Sequence, residues 1–399
     1  MTIQINLGDS GLIQGQCDGA FEAIAHTFVD NFVEHEELGA SVCVSIAGRK
    51  VVDLWGGVRD IKTRAPWERD TVSIVHSCTK AATALCAHIL IDRGLLDLHA
   101  PIRKYWPEFS QGGKEDATVL MTLNHSIGVP ALREPLKQGA YYDWNYMVER
   151  LAAEAPFWTP GSRNGYHMSS FGWLVGELVR RVSGRSLGTF FRTEVAAPLG
   201  MDFWIGLPQQ IEARVAPMIR FVPKPGAPKS DFTLALKAVP KTISHLALLN
   251  NGGHQGDTQA AYAAEMGGGG GISNARALAR MFEPLANGGE FNGVRLLSGQ
   301  RIEDMRQVSM QNERDETLLI PTRFAQGFML RMDNPGLTSG NAVRIGTNAF
   351  GHVGAGGSLG FADPSIRMSF GYTMNRMGGG VLLNERGQAL VDAAYACMR

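Results

Sequence analysis

The chain has 399 residues, with 38 Lys and Arg against 38 Asp and Glu and 44% apolar residues. That length supports a sizeable buried core, and the balanced charge gives no electrostatic bias towards nucleic acid or an anionic membrane. The five cysteines, Cys17, Cys43, Cys78, Cys86 and Cys397, are scattered and show no C-x-x-C spacing, which argues against a zinc site or a disulfide framework. No charged n-region followed by an apolar stretch opens the chain, so no secretory signal is read. No window approaches the ~18 apolar residues of a membrane span. The expected location is therefore the cytoplasm.

Residues 16–36 set Phe21, Ile24, Ala25, Phe28, Val29 and Phe32 at helical spacing, which predicts an amphipathic helix. Two β-rich runs flank Ala47-Gly48-Arg49 and read as a hairpin. The β-like run Thr71–Val75 leads into "SCTKAATALCAHIL", apolar nearly all round. That is the pattern of a buried helix, and Gly94 fits its end. From about 95 to 275 the chain is helical and loop-rich. Its clearest helix is "SSFGWLVGELVRRVSG", with Ser169 or Ser170 as cap and Gly184 as terminator. The proline-rich residues 221–232 read as an exposed loop. Five glycines, 267–271, precede a helix capped by Ser273 or Asn274. Residues 325–376 return to strand character, with Ile366, Met368, Phe370, Tyr372 and Met374 alternating, and a helix near 384–397 closes the chain. Strands and a helix at both ends predict one α/β unit built from both termini, with an inserted helical region.

The chemistry centres on Ser77 and Lys80. Composition alone predicts about 0.5 S-x-x-K matches by chance, so the setting must carry the argument. Ser77 follows a β-like run and opens a buried helix, where free N–H groups and the helix dipole favour negative charge. Lys80, at i+3, shares its face, and desolvation in an apolar helix lowers the lysine pKa and makes it a proton acceptor. The competing reading makes Ser77 an N-cap and Lys80 a solvated first-turn residue.

Tyr166 stands in a loop ahead of a capped helix. A phenol is a poor base unless a cation such as Lys80 stabilises its anion; the alternative is a tyrosine packed at a helix entrance. His352 precedes a glycine-rich stretch whose glycines permit close approach to backbone N–H groups; the alternative is a plain β-turn with a polar histidine. Within that stretch Gly356-Gly357-Ser358-Leu359-Gly360 fits G-x-S-x-G, but that motif needs a helix after the serine. "FADPS" follows here, a turn, so Ser358 is the weaker nucleophile. His76, His125 and His167 draw less support, and no H-E-x-x-H or comparable cluster points to a metal.

In their order along the chain, "SCTK", "GLLDLHAPIRKYWPEF", "LNHSIGVPAL", "PGSRNGYH", "GGGGGISNARALARMF" and "GHVGAGGSLGF" resemble the serine β-lactamase and penicillin-binding-protein superfamily. Within it the chain looks most like the class C β-lactamase-related family VIII carboxylesterases, from about residue 20 to the C-terminus. The resemblance implies Ser77 as nucleophile, Lys80 as its activating partner and Tyr166 at the position of the base tyrosine. It implies an oxyanion hole from the backbone N–H groups of Ser77 and Ala355. It also puts His352-Val353-Gly354 where the lactamases carry Lys-Thr-Gly, which makes His352 and Gly354 substrate-binding. Whether Lys80 or Tyr166 takes the first proton is left open, since such a pair titrates as a unit.

Two departures stand out. Met168 occupies the place of an asparagine, and His352 that of a lysine whose permanent charge suits the carboxylate of β-lactams. The expected fold is α+β: an antiparallel sheet flanked by helices from residues 1–95 and 276–399, with a mainly helical inserted domain over 96–275. The expected reaction is hydrolysis of small, rather apolar carboxylic esters through an acyl-enzyme. No cofactor, nucleic-acid partner or membrane is expected, and the oligomeric state is not set. Weak β-lactamase activity, acyl transfer from the same acyl-enzyme and non-catalytic binding on the same fold are the alternatives. Met201, Phe203 and Trp204 either line the acyl pocket or pack in the core.

Overall fold

The computed structural model describes residues 1–337 and 340–399. Its main sheet is antiparallel and joins the two ends of the chain. The order is Thr2–Asn6, Leu12–Cys17, Arg49–Asp60, Gly39–Ile46, Met368–Met374, Leu359–Asp363 and Phe350–Val353. The predicted hairpin around Gly48 is formed, and the strand Met368–Met374 pairs with its first arm, Tyr372 opposite Val42.

The alternation in this strand explains the layering. Phe370, Tyr372 and Met374 join Val42, Val44, Val52 and Leu54 on one face, packed against Ile24, Phe28, Leu390 and Val391 of helices Glu22–Glu34 and Glu385–Ala396. The other face is kept small so that helix Ala275–Ala286 can lie close. A Cβ on Gly371 would stand 2.2 Å from the Ala275 carbonyl oxygen and 2.7 Å from the Ala279 nitrogen. Asn274 caps this helix, its side chain accepting from the Ala277 N–H.

The structure differs from the sequence expectation at two places. Residues 16 and 17 belong to the strand Leu12–Cys17, and the helix begins only at Glu22. Gly15 decides this: its φ is +139°, and a Cβ there would lie 2.0 Å from the Asp53 carbonyl oxygen, so the chain is drawn flat against its neighbour. Residues 325–349 are largely irregular, joined by isolated bridges such as Met332 to Val343, and regular strands resume at Phe350. Positions 338 and 339 of that stretch lie outside the described residues.

A second core surrounds helix Cys78–Asp92, whose residues from Cys78 to Leu90 are all buried. Helix Ser170–Ser183 packs along it, bringing Phe171, Leu174, Val175 and Leu178, and strand Phe350–Val353 meets its other side. The strand that feeds it, Val72–Ile74, lies in a small sheet, parallel to Val215–Ala216 and antiparallel to Ile272–Ser273. The start of the buried helix is therefore gripped from both sides.

Candidate active site

The backbone turns sharply between that strand and helix. The Val75 N–H is held by the Gly271 carbonyl at 2.9 Å, and His76 then adopts φ +46°. A left-handed conformation in a non-glycine residue is strained and survives only where its surroundings impose it. Ser77 follows with φ −68° and ψ −5°, and its side chain makes no capping hydrogen bond. The N-cap reading of Ser77 is thus not what the fold does with the hydroxyl. Thr79 takes over locally: its hydroxyl donates to the His76 carbonyl at 2.5 Å and accepts from the Gly271 N–H at 2.8 Å.

Lys80 is fully buried, with Nζ 3.1 Å from the Ser77 Oγ, 2.6 Å from the Met168 carbonyl and 2.5 Å from the Gly268 carbonyl. Burial pushes its pKa well below the usual lysine range, and among the described residues no carboxylate pairs with it. A neutral amine has two N–H donors and one lone pair. In the neutral form the two carbonyls take both donors and the lone pair faces the serine O–H; as an ammonium, Nζ instead donates to the Ser77 Oγ. The glycine run makes this arrangement possible. A Cβ on Gly268 would meet the Ser169 carbonyl oxygen at 2.6 Å, and one on Gly172 would meet the Gly268 nitrogen at 2.1 Å.

Tyr166 reaches the same point from the other wall. Its ring centroid lies 4.7 Å from the Lys80 Nζ, and the ring packs on His125 at 4.9 Å and stacks on Phe324 at 6.0 Å. Its hydroxyl is buried and makes no formed hydrogen bond among the described residues. Burial raises its pKa, while the nearby Ser77 hydroxyl opposes that shift, so the phenol keeps its proton. The backbone N–H of Tyr166 donates to the Asp315 Oδ1 at 2.9 Å. The sequence reading missed Asp315: an aspartate in "NERDETLL" carries no spacing signal that marks it.

The third wall is the turn after strand Phe350–Val353. Gly357 N–H donates to the Gly354 carbonyl at 3.0 Å and Gly356 has φ +85°, which places Ala355 at the exposed tip. The backbone N–H groups of Ser77 and Ala355 have no intramolecular acceptor among the described residues. Ser358 is buried and donates to the Val75 carbonyl at 2.8 Å. A strand, Leu359–Asp363, follows it, so no nucleophile elbow forms.

Gly354 is a glycine because a Cβ there would lie 2.2 Å from both the Ser358 Oγ and the Val75 carbonyl oxygen. His352 is buried, its Nδ1 2.7 Å from the Val353 carbonyl oxygen, and burial pushes its pKa down to about 3. It is a neutral imidazole with its ring 6.1 Å from that of Tyr166.

These groups meet at a cavity of about 480 Å³. Ser77, His76 and Tyr166 lie on its wall, with Met168, Trp173, Met218, Leu248, Leu318, Met329, Met377 and Val381 as apolar lining and Arg220, His254 and Asp257 as polar lining. Val353 and Ala355 line it, whereas His352 and Gly354 do not. Both sit directly behind that lining and shape the wall, Gly354 against Ser358 and Val75 and His352 beside the Tyr166 ring. Met201, Phe203 and Trp204 are core residues away from this cavity. His76 borders the cavity. His167 is buried structure, accepting from the Val129 N–H at 3.2 Å. Among the described residues no group of three His, Cys, Asp or Glu could hold a metal ion, and no helix is long and apolar enough to cross a membrane.

Comparison with known proteins gives a consistent result. The family profile described as Beta-lactamase matches residues 22–395. The chain is 35% identical over 370 residues to Esterase/beta-lactamase LipL of Mycobacterium tuberculosis, covering 91% of this chain and 83% of that protein. Among solved structures, a family VIII carboxylesterase matches with a TM-score of 0.86 at 36% identity, over 96% of this chain and 99% of that one. A penicillin-binding protein homologue from Caulobacter crescentus matches with a TM-score of 0.86 at 34% identity, with the same coverage.

Proposed function

The chain belongs to the Beta-lactamase family and is a serine hydrolase of the carboxylesterase type, and from that footing we propose that it hydrolyses small, rather apolar carboxylic esters through an acyl-enzyme on Ser77. The observation that carries this reading is the Lys80 Nζ, fixed between two carbonyls with the Ser77 Oγ 3.1 Å away. Ser77 attacks the ester carbonyl as its proton passes to neutral Lys80. The oxyanion is held by the backbone N–H groups of Ser77 and Ala355, aided by the helix N-terminus. Tyr166, a phenol, gives its proton to the departing alkoxide and regains one from Lys80. Water then attacks the acyl-enzyme by the reverse proton route, releasing the acid and restoring Ser77.

The apolar wall supports an uncharged acyl group; the neutral His352 offers no fixed cation for a substrate carboxylate, and the lining guanidinium, Arg220, stands beside the Asp257 carboxylate. In this reading the site lies in the cleft between the sheet part, 1–95 and 276–399, which supplies Ser77, Met329 and Ala355, and the insert, 96–275, which supplies Tyr166, Trp173 and Leu248. The test is p-nitrophenyl butyrate hydrolysis by wild type, Ser77→Ala and Ser358→Ala. Loss with the first variant and survival with the second is expected; the reverse would move the nucleophile to Ser358 and overturn the mechanism.

A further inference from the structure

Asp315 is a fully buried carboxylate that makes no ion pair among the described residues. Its charge is met by hydrogen bonds alone. Oδ1 accepts from the backbone N–H groups of Tyr166 at 2.9 Å, Thr317 at 2.8 Å and Leu318 at 2.8 Å. Oδ2 accepts from the Asn164 Nδ2 at 2.9 Å and, at 3.4 Å, from the Thr322 hydroxyl. The charged residues beside it in sequence are committed elsewhere: Arg314 pairs with Asp231 and Glu316 with Arg163, each at 3.0 Å. An uncompensated buried carboxylate is costly unless its oxygens are saturated with donors, and these five donors meet that condition.

The donors come from two separate stretches. One is the loop 164–166, which carries Tyr166, and the other is the loop 315–322, which carries Leu318 into the cavity wall. Tyr166 lies in irregular backbone and has no helix or strand to fix it. Its ring contacts set the plane of the phenol, but only the Asp315 bond holds its main-chain nitrogen. We propose that Asp315 is the positioning residue for Tyr166, tying the tyrosine loop to the opposite wall so that the phenol stands ready beside Ser77 and Lys80. Asp315 touches neither substrate nor Ser77. Burial pushes its carboxyl up to about 6, which still leaves the acceptor-only form dominant at neutral pH. That form is required, because an asparagine would turn an NH2 group towards Asn164, a donor facing a donor.

This inference rests on the role given to Tyr166 above, and its test separates the two. Asp315→Asn is compared with wild type and with the exchange Asn164→Asp plus Asp315→Asn, in which the donor and acceptor trade places. Hydrolysis of p-nitrophenyl butyrate is expected to lose roughly 10- to 100-fold in kcat in the single variant, with KM within about twofold, since a misplacement of about 1 Å costs that much. The exchange is expected to recover at least tenfold of it. A kcat within twofold of wild type in Asp315→Asn, even with a lowered Tm, would make Asp315 a merely structural residue and overturn the proposal. Ser77→Ala measured in parallel judges the reaction itself. If that variant stays active the esterase mechanism fails, and the position of Tyr166 in a crystal structure of Asp315→Asn then decides: a displaced phenol supports the proposal and an unmoved one overturns it.

Discussion

The Ser358 hydroxyl donates a 2.8 Å hydrogen bond to the carbonyl of Val75, two residues ahead of Ser77. The two serines that compete for the role of nucleophile are therefore parts of one junction. One has a hydroxyl free of backbone bonds at a helix start, and the other pins the strand that delivers it. Replacing Ser358 by alanine leaves the buried Val75 carbonyl without this partner, at a cost of about 1–3 kcal/mol. The expected outcome is a lower Tm with ester hydrolysis within a few-fold of wild type. Thermal melting and kinetics on one preparation check both.

Lys80 yields a prediction with a definite sign. Its folded-state pKa lies well below 10.5 because of burial, so between the lowered value and 10.5 the unfolded chain binds a proton there that the folded chain does not. Its contribution to stability therefore rises with pH through that window. The same deprotonation makes it a base, so kcat/KM rises with pH along an acidic limb belonging to Lys80. Lys80→Met is expected to lose more than about 10³-fold in kcat. It is also expected to lose the Lys80 part of the stability–pH slope, and denaturant unfolding at several pH values reads that directly.

The Ala355 backbone N–H can be tested by a substitution that its turn accepts. A turn with a left-handed third residue, here Gly356 at φ +85°, accepts proline at its second position. Ala355→Pro removes the N–H and puts the ring Cδ in its place, with the turn geometry kept. It is expected to fold with a wild-type Tm to within a few degrees and to lose roughly 10²–10³ in kcat, the cost of one oxyanion donor. An unaffected kcat would assign the oxyanion to Ser77 alone.

His352 is neutral well above its pKa of about 3, and His76, at about 4, and His167, at about 3, are likewise depressed by burial. None of the three contributes an inflection near pH 6–7 to the rate profile. His352→Gln should leave the shape of that profile unchanged. With position 352 neutral and the lining guanidinium, Arg220, beside the Asp257 carboxylate, nitrocefin is expected to turn over roughly 10- to 100-fold less efficiently than a butyrate ester, the worth of a charged hydrogen bond to carboxylate.

The readable parts of this protein were those with local causes. The period-2 run through Phe370 and Tyr372, the all-apolar helix after Ser77 and the i+3 placement of Lys80 each follow from neighbouring residues. The candidate motifs were legible as a set because their order along the chain is specific even though each one is weak. What escaped depended on distant backbone. Gly15 draws the second strand against Asp53, Gly354 is packed by Val75, and Asp315 meets Asn164 across 151 residues. Met201, Phe203 and Trp204 failed as pocket candidates for the same reason: an apolar cluster near the motifs does not say which face it turns to the cavity.

The mechanism turns on acylation of the Ser77 Oγ. The direct measurement is to label the protein with a fluorophosphonate and locate the adduct by peptide mass spectrometry. A single adduct on Ser77 is expected, slowed at least 10³-fold in Lys80→Met. An adduct on Ser358, or labelling of Ser77 at the same rate in Lys80→Met, would contradict it.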